Sequence, residues 1–138
     1  MNRRCDISLP EHVQVVADAA AAKKAHDIVV LDLQGIANFT DFFVICDAPS
    51  ERQVRAIYEE ILASMTSANF RVLHVEGAED GAWILMDCGS IIVHIFRSER
   101  RKYYDIERLW ADAPLIFQSE QTADVGSDED DYIELPWK

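Results

Sequence analysis

The sequence predicts an α/β domain with a mixed sheet of about five strands and helices mainly on one face of that sheet. Three patterns predict this class. A continuous, largely β-branched apolar run at residues 28–31 is typical of a strand buried on both faces. Apolar side chains recur at helical spacing across residues 54–65. Two apolar segments flank the short loop 88–90, an arrangement that favours an antiparallel hairpin.

A helix followed by two strands is expected at the start of the chain. Ser8 and Glu11 have the spacing of a capping box, in which each side chain bonds a free amide of the first turn. The helix that follows extends to about residue 25. A turn then separates strands at residues 28–31 and 42–46.

A second helix and three further strands follow. Ser50 begins a second capping box, with a glutamine three residues on, just before the apolar stripe. An apolar segment at residues 70–75 predicts a strand parallel to strand 42–46, because a helix connects the two. Residues 83–87 and 91–96 are the arms of the predicted hairpin.

The segment from Arg100 to Trp110 carries four basic and three aromatic residues, and it is expected to form a helix that ends before Pro114. Three helices can cover one face of a five-stranded sheet but hardly both. The other face is therefore expected to be partly open.

Six units of the formal net charge of −12 lie in the last part of the chain. Residues 118–138 contain seven carboxylates against one lysine and lack hydrophobic periodicity, so they are expected to form a disordered acidic tail behind a domain at 1–117. An acidic protein is repelled by phosphate backbones. We therefore expect no independent nucleic-acid binding, and a basic protein partner is favoured.

The sequence indicates a cytoplasmic protein that needs no cofactor. No run approaches the roughly 18 apolar residues of a membrane span, and no apolar signal core follows the arginines near the N-terminus. Three widely spaced cysteines fit reduced thiols better than a disulfide framework or a zinc site. Because no cluster has metal-ligand spacing and no Gly-rich phosphate loop is present, we expect neither a metal nor a nucleotide cofactor.

Two carboxylates keep an enzymatic alternative open. Asp32 ends the first strand and Asp87 ends the fourth, so they could converge at one sheet edge and hold Mg²⁺ or share a proton. More often such residues cap turns, as Asp87 could for the 88–90 loop.

A protein-interaction face is the favoured functional hypothesis. If the hairpin pairs its polar-bearing faces, one surface carries Trp83, Asp87, His94 and Phe96. Rings anchor interfaces and polar groups fix their register. The alternative is that Trp83 and Phe96 simply cover a core beneath the last helix.

The last helix adds five candidate partner-binding side chains, namely Arg101, Tyr103, Tyr104, Glu107 and Arg108. The charged members could instead form surface ion pairs with side chains three or four positions away on the helix, each worth about 0.2–0.5 kcal/mol. Tyr104 also suits inward packing, which is the more frequent role of such a ring.

An ordered set of motifs resembles the Iojap-like ribosomal silencing factor family. The matching stretches are DIVVLD (27–32), TDFFVI (40–45), SERQV (50–54), VEG (75–77), GAWILMDCG (81–89), VHIF (93–96) and RKYYDIERLW (101–110). No single motif is unique, but the order and spacing from about residue 11 to residue 113 are highly specific. The acidic tail lies outside this resemblance.

The resemblance implies a nucleotidyltransferase-like fold without catalysis. Members of that family bind the large ribosomal subunit at ribosomal protein fourteen, block its joining to the small subunit and repress translation when nutrients are scarce. An open sheet face would also suit a homodimer. The alternative is a nucleotidyltransferase-like enzyme or nucleotide-binding protein, which would need Asp-x-Asp soon after a Gly-Ser loop. Gly89 and Ser90 are present, but residues 91–96 contain no acid.

Overall fold

The computed structural model describes residues 9–119. Ser8, and with it half of the first capping box, lies outside these residues, as does the predicted acidic tail from residue 120 onward. The elements in chain order are α1 (Glu11–Ala22), β1 (His26–Asp32), β2 (Phe42–Ala48), α2 (Glu51–Ser67), β3 (His74–Glu76), β4 (Trp83–Asp87), β5 (Ile91–Arg97), α3 (Ser98–Tyr104), α4 (Ile106–Leu109) and β6 (Leu115–Gln118).

Within residues 9–119, six strands form one mixed sheet in the order β3-β4-β5-β2-β1-β6. β2 and β5 are parallel, and the other neighbouring pairs are antiparallel. The predicted α/β class with a mixed sheet is confirmed. The sheet has one strand more than expected, because β6 pairs with β1. Four residues directly after a proline give too short an alternation to be recognised as a strand.

The third strand is shorter than predicted and lies at the edge of the sheet. It begins at His74 rather than at residue 70, because the backbone N–H of Phe70 still bonds Met65 O at the end of α2. β3 pairs with β4 and not with β2. Its direction is nevertheless parallel to that of β2. β3 is antiparallel to β4, β4 is antiparallel to β5, and β5 is parallel to β2.

Helices α1 and α2 cover one face of the sheet and bury the larger of two apolar cores. The predicted stripe of α2 is buried at Val54, Ile57, Ile61 and Met65. Ser50 caps this helix as predicted, accepting a bond of 3.2 Å from Gln53 N. The side chain of Gln53 donates instead to the carbonyl oxygens of Lys23 and Lys24, which joins the start of α2 to the end of α1.

The opposite face carries a smaller core, which α3 and α4 cover in part. Ile106 and Ala113 close over Phe43, Ile45 and Phe96 of the sheet. This face is thus less open than the sequence suggested. Large apolar side chains nevertheless remain exposed around this cover at Phe39, Tyr103, Tyr104 and Leu109.

The segment from Arg100 to Trp110, predicted to form one helix, belongs to two short helices, α3 and α4. Asp105 adopts the left-handed conformation at φ +49° and ψ +50°, which ends α3, and α4 begins at the next residue. Aspartate is among the few non-glycine residues that visit this region at modest cost. After this break, the side chain of Ile106 is buried in the smaller core.

Candidate protein-interaction site

The hairpin register places the four predicted side chains of β4 and β5 on one face. Trp83 pairs with Phe96, and Asp87 pairs with Ile92, so His94 lies between them on the same side. The alternate residues of β4, Ile84 and Met86, belong to the other core under α1 and α2. The alternation of side chains along the sequence therefore correctly predicted which residues of the hairpin lie on each face of the sheet.

Two of these four side chains do not reach the surface. Phe96 is fully buried and His94 is 5% exposed, beneath a layer that includes Trp83 and Tyr104. The Trp83 ring lies 4.8 Å from the Phe96 ring and 4.6 Å from the Tyr104 ring, measured between centroids. Because α3 folds back over the end of the hairpin, Phe96 and His94 support the rings above them and are not placed for direct contact with a partner.

His94 is a neutral member of this ring cluster. Trp83 Nε1 donates to His94 Nδ1 at 3.2 Å, so the proton of the neutral imidazole resides on Nε2. Within the described residues Nε2 has no hydrogen-bond partner, and the Phe43 ring packs edge-on at 4.6 Å. Burial lowers the pKa of His94 to about 4. The imidazole therefore positions the Trp83 indole and is unsuited to act as a general acid near neutral pH.

Asp87 and Asp32 cap turns. Asp87 Oδ1 accepts a bond of 2.9 Å from Gly89 N in the hairpin loop. Asp32 Oδ1 accepts a bond of 2.9 Å from Gln34 N after β1. In residues 9–119, no group of three or more His, Cys, Asp or Glu side chains is placed to hold a metal ion. Asp87 lies at the opposite end of β4 from Trp83, so it is separated from the ring cluster.

The two cysteines in the described part of the chain are poor nucleophiles. Burial raises the pKa of Cys46 to about 12. Burial and the neighbouring Asp87 carboxylate raise the pKa of Cys88 to about 11. Since the thiolate is the reactive form, both side chains are expected to be inert at neutral pH.

Arg101 is a buried ion-pair partner rather than a surface residue. Its side chain is 11% exposed, and its guanidinium bonds the carboxylates of Asp47 and Glu107. Burial alone would lower the pKa of Arg101, but the bonds and charges of these two carboxylates outweigh it and raise that pKa. The expected surface pairing at helical spacing is therefore wrong for Arg101, because the break at Asp105 brings Glu107 of α4 back towards it.

The remaining helix residues form the accessible part of the site. Tyr103 is 76% exposed and Tyr104 is 39% exposed, with their ring centroids 5.0 Å apart. Arg108 is exposed, and its Nη1 lies 3.9 Å from Asp105 Oδ2. We call Trp83, Tyr103, Tyr104 and Arg108 the aromatic face.

A second exposed group was not recognised from the sequence. Phe39 is 54% exposed, and its ring lies 5.9 Å from that of Trp110. Leu109, beside Trp110, is 76% exposed. The available signal was the phenylalanine in a polar turn before β2, an environment in which a large ring is seldom needed for packing.

Among residues 9–119, no helix is both long enough and apolar enough to cross a lipid bilayer.

Comparison with known proteins identifies the family. A family model described as "Ribosomal silencing factor during starvation" matches residues 6–134, so the match extends into the acidic tail, contrary to the expectation that the tail lies outside it. The ribosomal silencing factor RsfS of Bacillus subtilis is 40% identical over 103 residues, which are 75% of this chain and 87% of that protein. The protein of the same name from Halalkalibacterium halodurans is 38% identical over 110 residues, which are 80% of this chain and 94% of that protein.

A solved structure and a more distant relative extend the comparison. A crystal structure of a Bacillus halodurans protein has a TM-score of 0.70 and 36% identity, covering 78% of this chain and 97% of that one. The Mus musculus protein named mitochondrial assembly of ribosomal large subunit protein 1 is 26% identical over 101 residues, covering 71% of this chain and 44% of that protein. The family match over nearly the whole sequence, the two bacterial relatives and the shared fold together place this chain in the ribosomal silencing factor family.

Proposed function

We propose that this protein binds the large ribosomal subunit at ribosomal protein fourteen in the cytoplasm and blocks joining of the small subunit. It thereby represses translation, above all when nutrients are scarce. The observation that carries the proposal is the family match over residues 6–134. The bacterial relatives named ribosomal silencing factor align along most of their length, so the likeness covers the whole domain.

The physical character of the chain supports a protein contact on the ribosome. The formal net charge of −12 opposes binding to bare RNA and favours a basic protein surface. The exposed rings of Tyr103 and Tyr104 beside Trp83 are of the residue types that dominate binding energy at protein interfaces. The mouse relative is named for assembly of the large subunit, which agrees with the proposed choice of subunit.

Sedimentation tests the choice of subunit. The purified protein is mixed with separated large and small subunits and run on a sucrose gradient, and we expect it to comigrate with the large subunit. In a second gradient, large subunits preincubated with the protein are mixed with small subunits at a magnesium concentration that normally joins them. We expect fewer joined ribosomes. Comigration with small subunits alone, or with neither subunit, would contradict the proposal.

A pull-down tests the contact itself. Immobilised ribosomal protein fourteen should retain this protein, whereas naked ribosomal RNA at physiological salt should not. Retention by RNA alone would show that the contact is nucleic acid and would contradict the assignment of a basic protein partner.

The proposed role is steric and stoichiometric, with no catalytic step. Asp87, the carboxylate on which the nucleotidyltransferase-like alternative depends, is bonded within its own turn. Metal-dependent nucleotide transfer that disappears on Asp87→Asn would revive the alternative.

A further inference from the structure

The segment that carries the two exposed tyrosines has little of its own to hold it in place. α3 has seven residues and no buried side chain, and α4 has four residues with Ile106 buried. Helices this short are unstable in isolation, because too few hydrogen bonds offset the cost of nucleation. Contacts to the rest of the protein must therefore fix the position of Tyr103 and Tyr104.

Arg101 supplies contacts to three separate elements at once. Its Nη1 donates to Asp47 Oδ1 at the end of β2, at 2.7 Å, and to Asp27 O in β1, at 2.8 Å. Its Nε and Nη2 donate to the two carboxylate oxygens of Glu107 in α4, at 3.2 Å and 2.9 Å. Arg101 itself belongs to α3. One side chain thus joins both short helices to the end of the sheet.

The geometry of this site requires arginine. The guanidinium is planar and directs its N–H groups along separate directions, so one edge can bind Glu107 while Nη1 bonds Asp47 and Asp27. A lysine ammonium has its three donors on a single atom and cannot span this arrangement. Asp47 is 5% exposed and also accepts a bond of 2.6 Å from Ser98 Oγ, so the start of α3 is held to the same carboxylate.

We propose that Arg101 is a positioning residue, which fixes α3 and α4 on the sheet so that Tyr103 and Tyr104 are presented to the ribosomal partner. Arg101 does not contact that partner itself, since its donors are directed into the protein. This inference rests on the proposed function, because it assigns the way in which the aromatic face is held ready for binding.

The test compares Arg101→Lys with Arg108→Lys. Both changes retain the charge on the same segment, but Arg108 is exposed, and its Nη1 lies 3.9 Å from Asp105 Oδ2. For each full-length variant we would measure amide hydrogen exchange across residues 98–109, exchange across β2 and β5, and the dissociation constant for purified large subunits.

For Arg101→Lys we expect faster exchange in residues 98–109, protected β2 and β5, and affinity for the large subunit weakened by about tenfold or more, because the segment must then be ordered during binding. Arg108→Lys should leave the exchange pattern unchanged. A purely structural role would instead raise exchange throughout the sheet, and that result would overturn the proposal.

Two further results would overturn it. Weakened binding with unchanged exchange would mean that Arg101 touches the partner directly. Faster exchange with unchanged affinity would mean that presentation of the tyrosines is not needed. If the unmodified protein fails to bind large subunits, the proposed function is wrong. Amide hydrogen exchange across residues 98–109 would still show whether Arg101 holds α3 and α4 in place. Should Arg101→Lys not fold, Glu107→Gln removes the charge of one partner, and the same measurements apply.

Discussion

At the scale of single residues, the aromatic face contains side chains that support the fold and side chains that are available for binding. Trp83 bonds His94 and packs against Phe96 and Tyr104, so it belongs to both groups. Its replacement by alanine would leave His94 Nδ1 unpaired and would lower stability as well as binding. Tyr103 is a cleaner probe, because it is 76% exposed and its ring packs edge-on against Tyr104.

We predict that Tyr103→Ala weakens binding to the large subunit by about 1–2 kcal/mol while leaving the free energy of unfolding within about 0.5 kcal/mol of the original value. The measurements are a binding titration with purified subunits and urea denaturation. Leu73→Ala is the matched control, because Leu73 is also exposed but lies beside the Asp87 end of β4. Equal loss of affinity in both variants would contradict the assigned face.

The lowered pKa of His94 predicts how the stability of the protein depends on pH. Burial lowers the pKa of His94 from 6.5, the value of a free imidazole, to about 4 in the folded protein. The unfolded chain therefore binds more protons between these two values, and stability is lost as the pH falls from 6.5 towards 4.

Between pH 7 and pH 5 we expect the His94 contribution to fall by about 2 kcal/mol, measured by urea denaturation at each pH. His94→Gln should lower stability at both pH values but show a correspondingly smaller decline between them. A decline of the same size in both proteins would place the titrating group elsewhere.

At the scale of elements, close backbone packing fixes how the edge strand β3 joins β4. Gly77 follows β3 with φ +85°, and a Cβ atom built there would overlap the carbonyl oxygen of Trp83. Gly35 also has a left-handed backbone, at φ +81°, but a Cβ atom there would meet no atom of residues 9–119 within 4 Å. An alanine at Gly35 would therefore suffer backbone strain alone, whereas an alanine at Gly77 would suffer the same strain and also a steric overlap.

We predict that Gly35→Ala destabilises the protein by about 1–2 kcal/mol, the cost of a left-handed non-glycine residue. Gly77→Ala should destabilise it by at least about 2 kcal/mol more, because the backbone of β4 must also move. Thermal or urea unfolding of the two variants gives the comparison. Similar losses in the two proteins would show that the contact at Gly77 relaxes without cost.

At the scale of the whole molecule, the two faces of the sheet are covered to different extents. The face under α1 and α2 is covered by helices of 12 and 17 residues and contains most of the buried apolar side chains. The other face is covered in part by two short helices, which are held by the buried side chain of Ile106 and by the ion pairs of Arg101 with Asp47 and Glu107. Because α3 buries no side chain of its own, its tyrosine rings remain accessible to a partner while contacts elsewhere fix the position of the helix.

Local patterns account for the parts of the fold that were predicted correctly. The α2 stripe with its Ser50 cap and the β4–β5 hairpin are contained within short stretches of sequence, where periodicity and turn length suffice. β6 and the break at Asp105 were missed for a shared reason. A four-residue edge strand and a single left-handed aspartate carry almost no periodic signal. β6 is held by pairing with β1, and α3 before the break is bonded through Arg101 to Asp47, and both partners are distant in sequence.

The sequence by itself determined the α/β class, the division of the hairpin between the two faces of the sheet, and the resemblance to the ribosomal silencing factor family. Only the tertiary structure decided which candidate residues are accessible. Alternation shows that Trp83, His94 and Phe96 share a face, but whether that face meets solvent depends on where α3 returns. Likewise, the spacing of Arg101 suggested a surface pair, and only the folded chain brought Asp47 and Glu107 to it, because burial is a property of the assembled elements and not of their order in sequence.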